Sequence, residues 1–344
     1  MILPSSTDLD VGSFSRIFEM VTNSYKFLFF QALLDEIRGI RQTQEIIEKK
    51  VSISTLVSNM VERAKPLVDD YHLSFGVQDK MAEILRGKET IDALGRYVPF
   101  RLLSSFFENE LKGKKDHEKN GIILGCSISS FSNDKPPLYR LDRDGKKLVL
   151  NPRWIGYIQE NFPIVDSWFK YQWLSYLQDK NLAVPNLKYK IDPDFQRRGI
   201  PKAYQKFWRT IVQQENVHCI YSGVILNPAD YALDHYIPYS YLAHNELWNL
   251  VPVSSKANSS KSDSLAAPSY LKNFLEIQYS GIRSHKKFFE QEVFSKIAES
   301  YMSGLRISKV QILEKEIFQK HLHDVIVSLR DCAKLTGFSD GWSY

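Results

Sequence analysis

The sequence predicts a mainly α fold that carries a small strand, loop, strand, helix unit and, ahead of it, a short β-hairpin. Three observations lead there. Apolar residues recur at three and four positions over much of the chain, as in Tyr25, Phe29, Ala32, Leu33 and Ile37. Two short alternating runs between Leu138 and Leu150 flank Arg143-Asp144-Gly145, which is a hairpin signal. From Cys219 to Asp263 the helical period lapses, and Leu250 to Val253 reads as an apolar strand followed by a helix start at Ser254 and Ser255.

In chain order, residues 1–110 form an N-terminal helical region. Thr22 or Asn23 caps its first clear helix, and similar spacing returns from Ser54 to Ala64 and from Thr90 to Glu108. Lys26, near the start of that first helix, reads as a solvated side chain. Residues 111–215 form a mixed α+β middle region. Its Lys112, Lys114, Lys115 and Lys119 sit in a polar loop, the hairpin follows, and the aromatics between Trp154 and Asn181 read as core, not as a base-stacking platform. A helix then runs from Lys202 to Gln214. Residues 216–267 hold the small unit, and Pro268 opens a C-terminal helical region, 268–344, with helices near Tyr270 to Ser280, Lys286 to Tyr301 and Lys309 to Leu335.

Composition bounds the setting. The chain has 344 residues, enough for two or three domains, and its 43% hydrophobic and 13% aromatic content excludes a disordered chain. Its three cysteines, Cys126, Cys219 and Cys332, are far apart and odd in number, which fits a reducing compartment better than a disulfide framework. The longest apolar patch, Phe27 to Leu34, is far shorter than a membrane span, and the first residues lack a basic stretch followed by an apolar core. The expectation is a cytoplasmic bacterial protein without a membrane partner or signal peptide. Repeats, phosphate-binding glycine loops and helicase signatures are absent from the sequence.

A net charge of +5 does not by itself identify a nucleic-acid binder. Its distribution is more telling. Lys188, Lys190, Arg197, Arg198, Lys202, Lys206 and Arg209 face only Asp192 and Asp194 in the segment that leads into the small unit. Arg197, Arg198, Lys202 and Lys206 are the candidates to track a phosphate backbone, and an ordinary solvated helix face is the competing reading.

The chemistry resides in Asp234, His235, Asn249 and Asn258. Neutral imidazole is the side chain best suited to take a proton from water near neutral pH, which makes His235 the candidate base. Hard divalent cations prefer carboxylate and amide oxygens, which Asp234 and Asn258 offer. Adjacent residues on a regular strand point to opposite faces, so Asp234 and His235 share a site only where the strand bends or ends, and Pro238 makes an early end plausible. Asn249, at the start of the second strand, is placed to hydrogen-bond either the backbone or the imidazole of the facing segment. Lys261 lies three residues after Asn258 on the following helix and so shares its face, where it can reach a phosphate. His321 and His323 are two apart on a helix and point in different directions, which argues against a shared ion.

In this order the residues resemble the HNH endonucleases, with their ββα-metal fold, and most closely the HNH domain of RNA-guided nucleases, down to the closing Asn258-x-x-Lys261-Ser262-Asp263. The resemblance implies that Asp234 and Asn258 hold one Mg2+ or Mn2+ ion, that His235 is the general base and that Asn249 orients it. It also implies DNA as the partner and phosphodiester hydrolysis as the reaction, with restriction or phage defence, alongside other proteins of such a system, as the setting. A catalytically inactive nucleic-acid-binding module and a partner-activated nuclease acting on RNA remain alternatives. Many relatives bind a structural zinc through two Cys-x-x-Cys pairs. Here those positions read Cys219, Ser222, Ser254 and Ala257, so no structural zinc is expected, and Tyr221, Ile237, Trp248 and Leu250 are expected to hold the unit by packing. The segment Asn23 to Ile37 is similar to N-terminal segments of bacterial HNH and restriction-type proteins.

Overall fold

The structure, a computed structural model, describes residues 2–40, 48–192 and 199–344. The chain divides into two compact units, Met1–Asn181 and Leu182–Tyr344. Among the described residues, no helix is long and apolar enough to cross a membrane.

The first unit is built around α1 (Tyr25–Gly39), with α2 (Ile53–Asp69), α3 (Asp92–Leu102), α4 (Asp116–Ser129), α5 (Pro152–Glu160) and α6 (Phe162–Lys180). Phe27, Leu28, Phe29, Phe30, Ala32, Leu33, Leu34 and Ile37 of α1 are all buried, so this helix is a core element apolar almost all round, not a half-solvated one. Most of the aromatics read as core are core, while Tyr171 is exposed. Trp154, Trp168, Phe169 and Trp173 are buried, Phe14 lies 4.8 Å from Trp154, and Phe18 stacks on Phe27 at 4.4 Å. At the helix start Asn23 accepts from the Tyr25 N–H at 3.4 Å, while the Ser24 N–H donates to Asp79 at 2.6 Å. Lys26 departs from expectation: its ammonium folds back to donate to the Ile17 carbonyl at 3.1 Å.

The hairpin forms as β2 (Tyr139–Leu141) and β3 (Lys147–Leu150). Gly145 takes φ +64° in its turn, where a side chain would be strained, and the Asp142 carboxylate accepts from the Lys146 and Lys147 N–H groups. A strand that sequence reading did not find, β1 (Lys49–Ser52), pairs antiparallel with β3, giving the order β1-β3-β2. Four residues with one buried side chain carry too little pattern to be read alone.

In the second unit a short helix, Leu187–Ile191, precedes α7 (Lys202–Gln214), which buries Phe207, Trp208, Ile211 and Val212. Next come β4 (Ala232–His235), β5 (Leu250–Val253) and α8 (Ser255–Lys261), then α9 (Leu271–Phe288), α10 (Gln291–Leu305) and α11 (Lys315–Leu335). The strands pair antiparallel with Asp234 opposite Val251 and His235 opposite Leu250. Ser254 caps α8 by accepting from the Ala257 N–H at 3.3 Å. The connection between the strands is more ordered than a plain loop: a helical turn, Tyr239–Leu242, follows Pro238, and a 3-10 turn, Leu247–Asn249, precedes β5. Pro238 supplies the fixed φ that starts the first turn.

One core joins these elements. Trp208, Tyr236, Ile237, Trp248, Phe274, Tyr301 and Phe318 belong to a single buried cluster. Tyr221, Ile237, Trp248 and Leu250 are all buried, as expected for the packing of the small unit. The backbone of Gly304 on α10 lies so close against the Trp248 indole that a Cβ there has no space. At the chain's end, Trp342 bridges in parallel to Ala266, and Arg330 donates to the Ala266 carbonyl while pairing with Asp340.

Candidate active site

The β4–β5–α8 unit brings Asp234, His235 and Asn258 to one cavity of about 390 Å3, whose lining also includes Asn245, Ser262 and Asp263. Because β4 ends at His235, neighbouring side chains that would diverge along a regular strand reach the same space. Asn258 enters from the middle of α8, and Ser262, at φ +47°, ends that helix and turns Asp263 into the lining.

Asp234 is 4% exposed and has a protein donor on each oxygen. The Tyr221 hydroxyl donates to Oδ2 at 2.6 Å, and the Lys261 ammonium donates to Oδ1 at 3.1 Å. Burial pushes the Asp234 carboxyl up from the ordinary range, and Lys261 and Tyr221 pull it back. The tyrosine is itself braced: Tyr270 and Trp342 meet its ring edge to face at 5.1 and 5.0 Å. A C-terminal residue thus packs directly behind a group that contacts the site carboxylate.

Lys261 differs from its sequence reading. It shares α8 with Asn258, yet its side chain is 0% exposed and its ammonium lies between Asp234 and the His235 carbonyl at 2.8 Å. A buried carboxylate without a counter-charge is costly, which is why the nearest ammonium turns inward instead of toward a phosphate.

Asn249 is fully buried and does not line the cavity. Its side-chain oxygen accepts from the Ile237 N–H and its amide donates to the Ile237 carbonyl, both at 2.8 Å. Of the two partners left open by the sequence, the backbone is the one bonded, and this clamp fixes the chain just after His235. The imidazole is held instead by Asn245, whose oxygen lies 2.8 Å from His235 Nε2. With an amide oxygen as its partner, Nε2–H is the donor in this contact. Asn245 also donates to the Gly199 carbonyl at 3.4 Å.

Lys202 and Lys206 are exposed on α7, with the Lys206 ammonium 5.8 Å from the Phe289 ring. Arg197 and Arg198 lie outside the described residues, although Gly199 and Ile200, immediately after them, line the cavity. His321 and His323 have separate partners, the Leu305 carbonyl and Asp324. The Cys219 sulfur accepts from the Ser254 N–H at 3.4 Å.

The donor set fits a hard cation. A carboxylate has about four acceptor sites, so two bonds from Tyr221 and Lys261 leave Asp234 with acceptor capacity, and Asn258 adds an amide oxygen. Among the described residues no group of three or more His, Cys, Asp or Glu gathers as a metal cluster, so an ion here would have few protein ligands.

The site is thus an antiparallel strand pair followed by a helix, with an acid and an imidazole at the end of the first strand and an amide on the helix. Residues 219–267 match the model of a protein family described as HNH endonuclease. Neither the curated proteins nor the solved structures contain a match to this chain. Two site residues escaped the sequence reading: Asn245 is a polar residue without a distinguishing spacing, and Tyr221, read only as packing, reveals its hydroxyl bond only in three dimensions. Asp263 was read only as the end of the closing motif, without a role.

Proposed function

We propose that residues 219–267 form a metal-dependent endonuclease site that hydrolyses DNA phosphodiesters. The observation that carries this reading is the convergence of Asp234, His235 and Asn258 on one cavity, within the segment that matches the HNH family. Asp234 and Asn258 would hold one Mg2+ or Mn2+ ion, which supplies charge neutralisation at the scissile phosphate when bound. His235 accepts a proton from the attacking water, with Asn245 setting its tautomer and orientation. Lys261 and Tyr221 hold Asp234 in place, and Asn249 locks the backbone at Ile237 so that His235 is presented at a fixed angle. The exposed Lys202 and Lys206, with Arg197 and Arg198, would contact the backbone of the duplex. By resemblance to the family, the products carry a 5′ phosphate and a 3′ hydroxyl, and one site nicks one strand at a time. Restriction or phage defence is the setting this reading favours, because the matched segment sits in a far longer helical chain.

A plasmid-nicking assay with Mg2+, Mn2+ or chelator tests it. We expect nicking that requires metal and falls by a factor on the order of 10²–10⁴ in His235→Ala, the usual range for losing a general base. Nicking that persists in chelator, or at the wild-type rate in His235→Ala, overturns the mechanism. Salt-dependent duplex binding without metal-dependent cleavage would instead mark a binding module.

A further inference from the structure

The first unit contains a second well-formed cavity, of about 360 Å3, at the start of α1 and along α3. Its volume lies in the range of small-molecule sites. Its walls are mostly apolar, with Tyr25, Ile84, Leu94 and Val98 among them, and its charged lining consists of Lys26, Lys80, Arg101 and Glu89.

These charges are not equally balanced. Arg101 is paired with Asp116 at 3.0 Å, and Lys80 with Glu83 at 3.6 Å. Glu89 is exposed. Lys26 has only the Ile17 carbonyl, at 3.1 Å, and no carboxylate lies within ion-pair distance of it among the described residues. Burial lowers its pKa to about 8, with Arg101 adding to the effect. A partly buried ammonium beside a guanidinium, facing an open apolar space, lacks a counter-anion.

We infer that this cavity binds a small molecule with one acidic group, phosphate or carboxylate, on a flat apolar body, with Lys26 and Arg101 taking the acid and Leu94, Val98 and Tyr97 the body. The inference does not depend on the nuclease reading, since it concerns other residues and is read by binding alone.

Titration calorimetry on the full chain tests it, with phenyl phosphate and benzoate as probes and inorganic phosphate and benzyl alcohol as controls that each lack one half. We expect at least one probe to bind, both controls to bind at least tenfold more weakly, and Lys26→Met to weaken the probe at least tenfold. Ala93 is exposed at the cavity wall, so Ala93→Trp fills the space without disturbing the core and should also abolish binding. The inference fails if neither probe binds, if inorganic phosphate matches the better probe, or if that probe binds equally to both variants.

Discussion

Two cavities of similar size, about 390 Å3 in the second unit and about 360 Å3 in the first, treat charge in opposite ways. Around the first of these, Asp234 has a buried ammonium and a phenol, and His235 has an amide oxygen. Around the other, Lys26 has a single backbone carbonyl. The difference separates a site whose groups are held ready for chemistry from one whose electrostatics are completed by something that arrives. Matched charges fix geometry. An unmatched charge raises the energy of the empty site and lowers that of the filled one.

Deleting the cation should therefore have opposite consequences in the two places. Lys261→Met strands a buried carboxylate and should cost about 3–5 kcal/mol, the usual penalty for breaking a buried pair from one side. Urea unfolding measures it, and adding Asp234→Asn should restore part of the loss. Equal stability of Lys261→Met and wild type would show that the pair is not formed.

Lys26→Met keeps the stem and removes the charge, so it should stabilise the free protein, by on the order of 1–2 kcal/mol at pH 7. The sign follows from linkage. The folded chain releases this proton near pH 8 and the unfolded chain near 10.5, so between those values the unfolded state binds more protons and wild-type stability rises with pH. The advantage of the variant should shrink through that window. Thermal melts of both proteins at pH 7 and pH 10 provide the comparison, and an advantage that does not shrink would contradict the assigned burial.

An effect of similar size but opposite sign is expected from Tyr221→Phe. It removes one hydrogen bond to Asp234 and leaves the ring between Tyr270 and Trp342, so it should cost about 1–2 kcal/mol by thermal melt. If Tyr221 orients the carboxylate, the variant should also need more Mn2+ for half-maximal nicking. An unchanged metal requirement would reduce Tyr221 to a packing role.

The sequence exposed what depends on local order. The helix from Lys202 to Gln214 and the strand from Leu250 to Val253 were readable from apolar spacing and from Ser254 as a cap, and the structure has both at those bounds. Asp234, His235 and Asn258 were readable because a ββα unit fixes their separations along the chain. What escaped was set by packing between distant segments. Lys261 looked solvent-facing because helical spacing says nothing about a carboxylate on another strand. Lys26 looked solvated because the burial of its stem follows from elements far along the chain. Asn249 and Asn245 illustrate the same limit, since either amide could have reached the imidazole until the fold placed one on the Ile237 backbone and the other on the ring.

The segment that matches the HNH family shares its interior with helices outside it. Tyr236 stacks on Phe274 at 4.0 Å, Trp248 lies against Gly304, and Trp342 backs Tyr221. Residues 219–267 grafted alone onto a new scaffold would expose these aromatic faces and loosen the carboxylate's phenolic support. A portable version of this unit has to carry the flanking helices with it.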